Sequence, residues 1–181
     1  VNEALGNIAM KNGDKEKAIE FLERAREVSP RVGALQGRRV NLYSRLASWY
    51  RESGDEEKMI ERLEQWRKIS PEGLRPRLEL GKFYLGAGGQ ESTAKAVAVL
   101  DEVIFINPFD PKLHKELARA ASSSSAHAIA IREYKLLLSY YSDNNPRTAY
   151  LALAKAYLGL GDKKEAASFA RKVLGIDGKN A

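Results

Sequence analysis

The sequence predicts an all-α chain of stacked helical hairpins, and three observations predict it. A Leu followed by a small residue and, three positions later, by Ala or Tyr recurs five times: Leu5-Gly6 with Ala9, Leu46-Ala47 with Tyr50, Leu80-Gly81 with Tyr84, Leu117-Ala118 with Ala121, and Leu153-Ala154 with Tyr157. The leucines lie 41, 34, 37 and 36 residues apart, the period of a helical-hairpin array and not of a compact single-core enzyme. Each unit also has a second half. There Ala18, Met59, Ala96, Ala130 and Ala166 are followed four residues later by Leu22, Leu63, Leu100, Tyr134 and Ala170, then by Ala25, Trp66, Val103, Leu137 and Val173. Spacings of three and four draw one apolar stripe along a helix. Turn residues separate the halves, at Gly13-Asp14, Gly54-Asp55, Gly88-Gly89 and Gly161-Asp162; Gly ends a helix in the left-handed conformation and Asp caps the next.

The units follow in order as approximately 1–30, 38–71, 74–108, 111–146 and 147–178. Second helices are expected to stop at or near Pro30, Pro71, Pro108 and Pro146, because Pro disfavours helical geometry in the residue before it. An insertion from Arg31 to Arg39 separates the first two units and is read as a longer first helix in the second, since Leu35, Leu42 and Leu46 share one helical face. Gly33 and Gly37 offer a bend there instead. The third unit has extra residues around Gly88 to Ser92, and the fourth replaces its turn with Ser122-Ser123-Ser124-Ser125. The chain starts at Val1 inside the first helix, which reads as a fragment of something longer.

These residues resemble the tetratricopeptide repeat (TPR) family, whose helix pairs of 34 residues carry this Leu-Gly-x-x-Tyr, Ala, Phe/Leu, Ala, Pro pattern. The first, second and fifth units match best. The resemblance implies a right-handed α-solenoid of about five antiparallel pairs and a non-enzymatic protein-binding or scaffolding role. A more local resemblance, through Ile106-Asn107-Pro108-Phe109-Asp110-Pro111, is to the TPR segment of large bacterial metallopeptidase-like proteins. No His-Glu-x-x-His helix accompanies it, so no peptidase activity carries over; what this resemblance implies instead is an alternative role as a bracing or recruiting domain of a larger peptidase-like protein.

The chain has 181 residues with 44% hydrophobic and 30% charged content, which suits one helical array. Its longest apolar runs fall far below the roughly 18 residues that cross a bilayer. Zero cysteines exclude disulfides and thiol chemistry without indicating a compartment. The two histidines, His114 and His127, lack partners for a metal site; His114 stands three residues before Leu117, a packing position. Gly159-Leu160-Gly161-Asp162-Lys163 lacks the Gly-Lys-Ser/Thr ending of a phosphate loop and reads as a turn. The serine run reads as a turn in preference to a nucleophile or phosphorylation site. No residue is expected to be catalytic, and no cofactor or metal is implied.

Charge carries the functional expectation. Lys and Arg number 30 against 24 Asp and Glu. In the TPR family the first helix of each pair lines a concave groove; the matching positions here hold Lys11, Arg45, Arg51, Arg75, Lys82, Lys112, Lys115, Arg119 and Lys155 against Glu3, Glu52, Glu79 and Glu116. Aligned cations attract an anion, and Arg grips a carboxylate through two hydrogen bonds. The expected partner is an acidic protein or peptide, with Lys82, Lys115, Arg119 and Lys155 at the centre. The clamp by which some TPR modules hold chaperone carboxylates is matched at Asn7 but broken at Glu3, Arg45 and Glu79. Nucleic acid is the alternative ligand, weakened because Tyr43, Trp49, Tyr50, Trp66, Tyr84 and Tyr134 mostly fall on packing positions and leave few stacking platforms. A solenoid must also cover its last apolar face, so Phe169 and Leu174 are candidates for an end interface or self-association.

Overall fold

The computed structural model describes residues 1–29, 36–141 and 145–178. Among the described residues the chain is all-α, with ten helices in two compact units, Val1–Leu80 and Gly81–Ala181.

The first unit contains α1 (Asn2–Lys11), α2 (Lys15–Glu27), α3 (Gln36–Ser53), α4 (Glu56–Ile69) and the start of α5 (Leu74–Ala87). Successive helices from α1 to α4 pack on one another. Both hairpin turns use a left-handed glycine, Gly13 and Gly54, and an aspartate, Asp14 and Asp55, whose side chain accepts from the backbone N–H of Lys17 and Lys58. The buried stripe of α2 is Ala18, Leu22 and Ala25, and that of α4 is Met59, Leu63 and Trp66, as the spacing predicts. Gly6 shows why small residues follow the anchor leucines: a Cβ there would lie 3.3 Å from the Ala18 carbonyl oxygen. The longer helix expected in the second pair is present as α3, with Leu42 and Leu46 buried on one face. Pro30, Arg31, Gly33 and Leu35 lie outside the described residues.

A charged cluster joins the two pairs of this unit. Glu23 on α2 accepts from Arg62 Nε at 2.7 Å, Arg26 Nε at 2.6 Å and the Tyr50 hydroxyl at 2.9 Å. Burial pushes its carboxyl up, but the hydrogen bonds from Arg62, Arg26 and Tyr50 outweigh burial and hold it below the usual glutamate range.

The second unit continues from α5 through α6 (Gly89–Ile106), α7 (Pro111–Ser123), α8 (His127–Tyr140), α9 (Pro146–Gly159) and α10 (Lys163–Asp177). Gly81 on α5 again marks a close approach, since a Cβ there would fall 2.6 Å from Leu100 Cδ2 on α6. Asp110 and Asn145 cap α7 and α9 through their side chains, each followed by Pro at the first helical position.

Three expectations change here. Pro146 does not end α8, which stops at Tyr140; it opens α9, where its missing N–H is one that no helical carbonyl would have taken. The apolar stripe also shifts by one residue in the last two second helices. In α8 the buried residues are Ala130, Glu133 and Leu137, with Tyr134 half-buried, and in α10 they are Ala166, Phe169 and Val173, with Ala170 exposed. Three-residue and four-residue neighbours share a helix face, so the large ring of Phe169 takes the inward place and small Ala170 turns out. Finally, Phe169 is not available as an end interface. It stacks on Tyr157 at 5.7 Å between ring centroids, meets Tyr150 at 6.0 Å and carries the Lys172 ammonium 4.5 Å from its own centroid. Leu174 stays on the surface, 68% exposed.

His114 packs inward, as its position predicts, but with a partner the repeat pattern does not supply. Its Nδ1 meets a carboxylate oxygen of the fully buried Glu133, and its Nε2 lies 2.9 Å from the Pro108 carbonyl. Arg132 Nε donates to the other Glu133 oxygen at 2.6 Å, and the same guanidinium reaches Asp101 on α6. This chain of polar contacts ties α6, α7 and α8 together, and each Glu133 oxygen has a polar partner, which is what makes a buried carboxyl group tolerable.

Candidate protein-binding surface

The face of interest in the second unit is built by α5, α7 and α9. On α7 the sequence buries Leu113, His114, Leu117, Ala118 and Ala121. That packing leaves Lys112, Lys115, Glu116 and Arg119 on the other side, where Lys112, Glu116 and Arg119 are exposed and Lys115 is half-buried. Three hollows adjoin this ridge. One of about 490 Å³ is lined by Leu85, Thr93, Lys112, Lys115, Arg119 and Ala120, among others. A second, of about 220 Å³, shares Lys115 and Arg119 and reaches Asn145 and Thr148. The third, of about 290 Å³, shares Tyr134 and Thr148 with the second and Ser123 with the first, and includes Leu151, Ala152 and Lys155 of α9. Lys115 and Arg119 therefore stand between two hollows on one continuous surface. Lys82 is exposed on α5.

Among the described residues, Lys82, Lys112, Lys115, Arg119 and Lys155 hold no side-chain ion pair, and the nearby Glu116 neutralises none of them. The sequence-predicted cations of the first unit are placed differently. Arg45 donates to Asn7 and lies over the Trp49 ring at 5.1 Å. Arg51 and Arg75 both reach Glu79, at 2.7 and 2.9 Å, and Arg75 also covers Trp66. Asn7, Arg45 and Glu79, the positions at issue in the carboxylate clamp, are thus engaged with groups of the protein itself. The buried anchors were legible from spacing; the pairing of Arg51 and Arg75 with Glu79 had one signal, the four-residue step from Arg75 to Glu79 on a helix.

Among the described residues no group of three or more His, Asp or Glu side chains could hold a metal ion, and no helix is long and apolar enough to cross a membrane. Tyr43, Tyr50 and Trp66 are buried, so the aromatics expected to pack do so at these positions.

Residues 1–31 and 148–180 match the family model described as Tetratricopeptide repeat. These two segments carry tetratricopeptide repeats. No curated relative matches it. Among solved structures it is similar to MamA of AMB-1, with 21% identity over 97% of this chain and 90% of that one at a TM-score of 0.55. It is similar to MamA of MSR-1 as well, with 22% identity over 99% and 97% at 0.52. A Podosopora anserina kinesin light chain structure of nearly identical TPR-like repeats gives 21% identity over 99% and 94% at 0.50. These likenesses establish the TPR helical-repeat fold. The repeats at residues 1–31 and 148–180 support a protein-interaction or scaffolding module as the class of function.

Proposed function

We propose that this TPR protein holds an acidic peptide segment of a protein partner on the basic face of its second unit, with Lys82, Lys112, Lys115, Arg119 and Lys155 as the contacts. The observation that carries this reading is the set of five cations with no ion-pair partner among the described residues, around hollows that a peptide can enter. A cation already paired gains little from a ligand, because it exchanges one carboxylate for another; an unpaired one gains a new charge-assisted hydrogen bond. Arg45, Arg51 and Arg75 belong to the first unit, where each would meet a ligand only by releasing Asn7 or Glu79.

The test compares the parent chain with a Lys82→Glu/Arg119→Glu/Lys155→Glu variant in nuclease-treated extract. An acidic protein captured by the parent and lost from the variant, with helicity unchanged, supports the groove. Capture that survives in the variant overturns it. Binding of single-stranded nucleic acid with steep salt dependence, in place of protein, would also overturn it.

A further inference from the structure

The basic face is not uniformly polar. On α9, Leu151, Lys155 and Leu158 follow at steps of four and three, which places them on one helical face. Both leucines are solvent-exposed, Leu151 at 39% and Leu158 at 61%, whereas the anchor Leu153 between them is fully buried. Leu151 and Ala152 line the third hollow together with Lys155 and Ser123. On the far side of α7, Leu85 and Ala120 give the largest hollow an apolar wall beside Lys112 and Arg119. The order across the surface is therefore the hollow walled by Leu85 and Ala120, the cationic ridge of Lys115 and Arg119, the small mixed hollow beside Asn145 and Thr148, and the hollow of Leu151 and Lys155.

Resting on the reading above, we infer that the bound segment is bipartite: acidic residues over the α7 ridge, flanked on each side by an apolar side chain, one against Leu85 and Ala120 and the other against Leu151 and Leu158. Charge complementarity selects the acidic centre, since five cations face one carboxylate, Glu116, among the described residues on this face. The exposed leucines select the flanks. Apolar surface that stays in water in the free protein is released when a matching side chain covers it, and this term persists at ionic strengths that screen charge. A purely acidic chain would satisfy the ridge and leave both walls wet.

Two fluorescein-labelled peptides of equal length and equal glutamate content distinguish these cases by anisotropy at about 0.15 M salt, the ionic strength at which exposed charge is screened beyond about 8 Å. One carries leucines flanking the glutamates and the other carries serines in their place. The leucine peptide is expected to bind at least tenfold more tightly. Leu151→Ser with Leu158→Ser is expected to remove most of that advantage while leaving the serine peptide's affinity within twofold. Equal binding of both peptides, lost on Arg119→Glu, would overturn the bipartite reading and leave the acidic groove standing. Preference for leucine that survives the double serine variant would overturn the role given to α9. Failure of both peptides to bind would overturn the groove itself. Far-UV circular dichroism checks that each variant is folded; if the double variant is not, Leu158→Ser alone carries the comparison, with a smaller loss of the same sign.

Discussion

In the first unit Arg51 and Arg75 converge on Glu79 and Arg45 rests on Asn7 and Trp49, whereas in the second Lys112, Lys115 and Arg119 stand on α7 and, among the described residues, pair with no carboxylate. Both sets lie on first helices, and both count equally towards the net charge. They differ in what they can offer a ligand. A cation held at 2.7 Å by its own chain has its strongest hydrogen bonds filled, and one in a hollow does not. A charge count along a repeat thus overstates the part of a surface that can bind.

The same two units differ in how they hold themselves together, and the largest expected effect breaks that contrast. Glu133 is completely buried and answers both His114 and Arg132. Glu133→Ala leaves the buried His114 Nδ1 without its partner, while Arg132 keeps Asp101, and is expected to cost about 3–5 kcal/mol, the usual consequence of removing one partner of a buried pair. Both tryptophans, Trp49 and Trp66, belong to the first unit. Urea unfolding of this variant should therefore show circular dichroism falling ahead of tryptophan fluorescence; coincident, unshifted transitions would contradict the role of Glu133.

The first unit's counterpart is Glu23, and its prediction concerns pH. Its folded carboxyl lies below the ordinary value, so the unfolded chain binds the proton more readily and Glu23 adds stability that is present above the unfolded value. That stability is lost as the pH falls from about 4.3 through the lower folded value. Glu23→Gln is expected to lower stability at pH 7 by about 1–3 kcal/mol, the cost of weakening hydrogen bonds to charged groups, and to flatten the acid limb followed by tryptophan fluorescence. An acid limb identical to the parent's would remove Glu23 from the account.

A smaller effect sharpens the contrast between paired and unpaired cations. Arg51→Gln with Arg75→Gln should change affinity for an acidic glutamate peptide less than threefold, while Lys115→Gln with Arg119→Gln should lower it about tenfold, or 1.4 kcal/mol. Equal losses would mean that internal pairing does not limit what a cation gives a ligand.

The smallest effect lies in the turns. Gly13 and Gly54 in the first unit and Gly161 in the second take φ near +80°, but the α7–α8 turn places Ser125 at φ +61°. Ser125→Gly relieves the left-handed strain of about 1 kcal/mol and gives back part of it as unfolded-state entropy, so a rise in the melting temperature of at most a few degrees is expected. A fall would show that the Ser125 side chain contributes something the backbone angle does not reveal.

The helices, their pairing and most of the buried anchors could be read from the amino-acid order, because each of these is local. A three-and-four spacing, a glycine that can turn left-handed and an aspartate that caps the next helix act within one or two turns of chain. The candidate cations were legible too, as positions on first helices. The rest depended on long-range packing. Whether Phe169 or Ala170 turned inward depended on the rings of Tyr150 and Tyr157; whether Glu133 could be buried depended on His114, nineteen residues away; and whether a given cation was free depended on a carboxylate such as Glu79, which reaches Arg51 from the next helix pair. Periodicity names the face a residue occupies, but a charge is satisfied or left open by whatever distant side chain the fold brings within hydrogen-bonding distance.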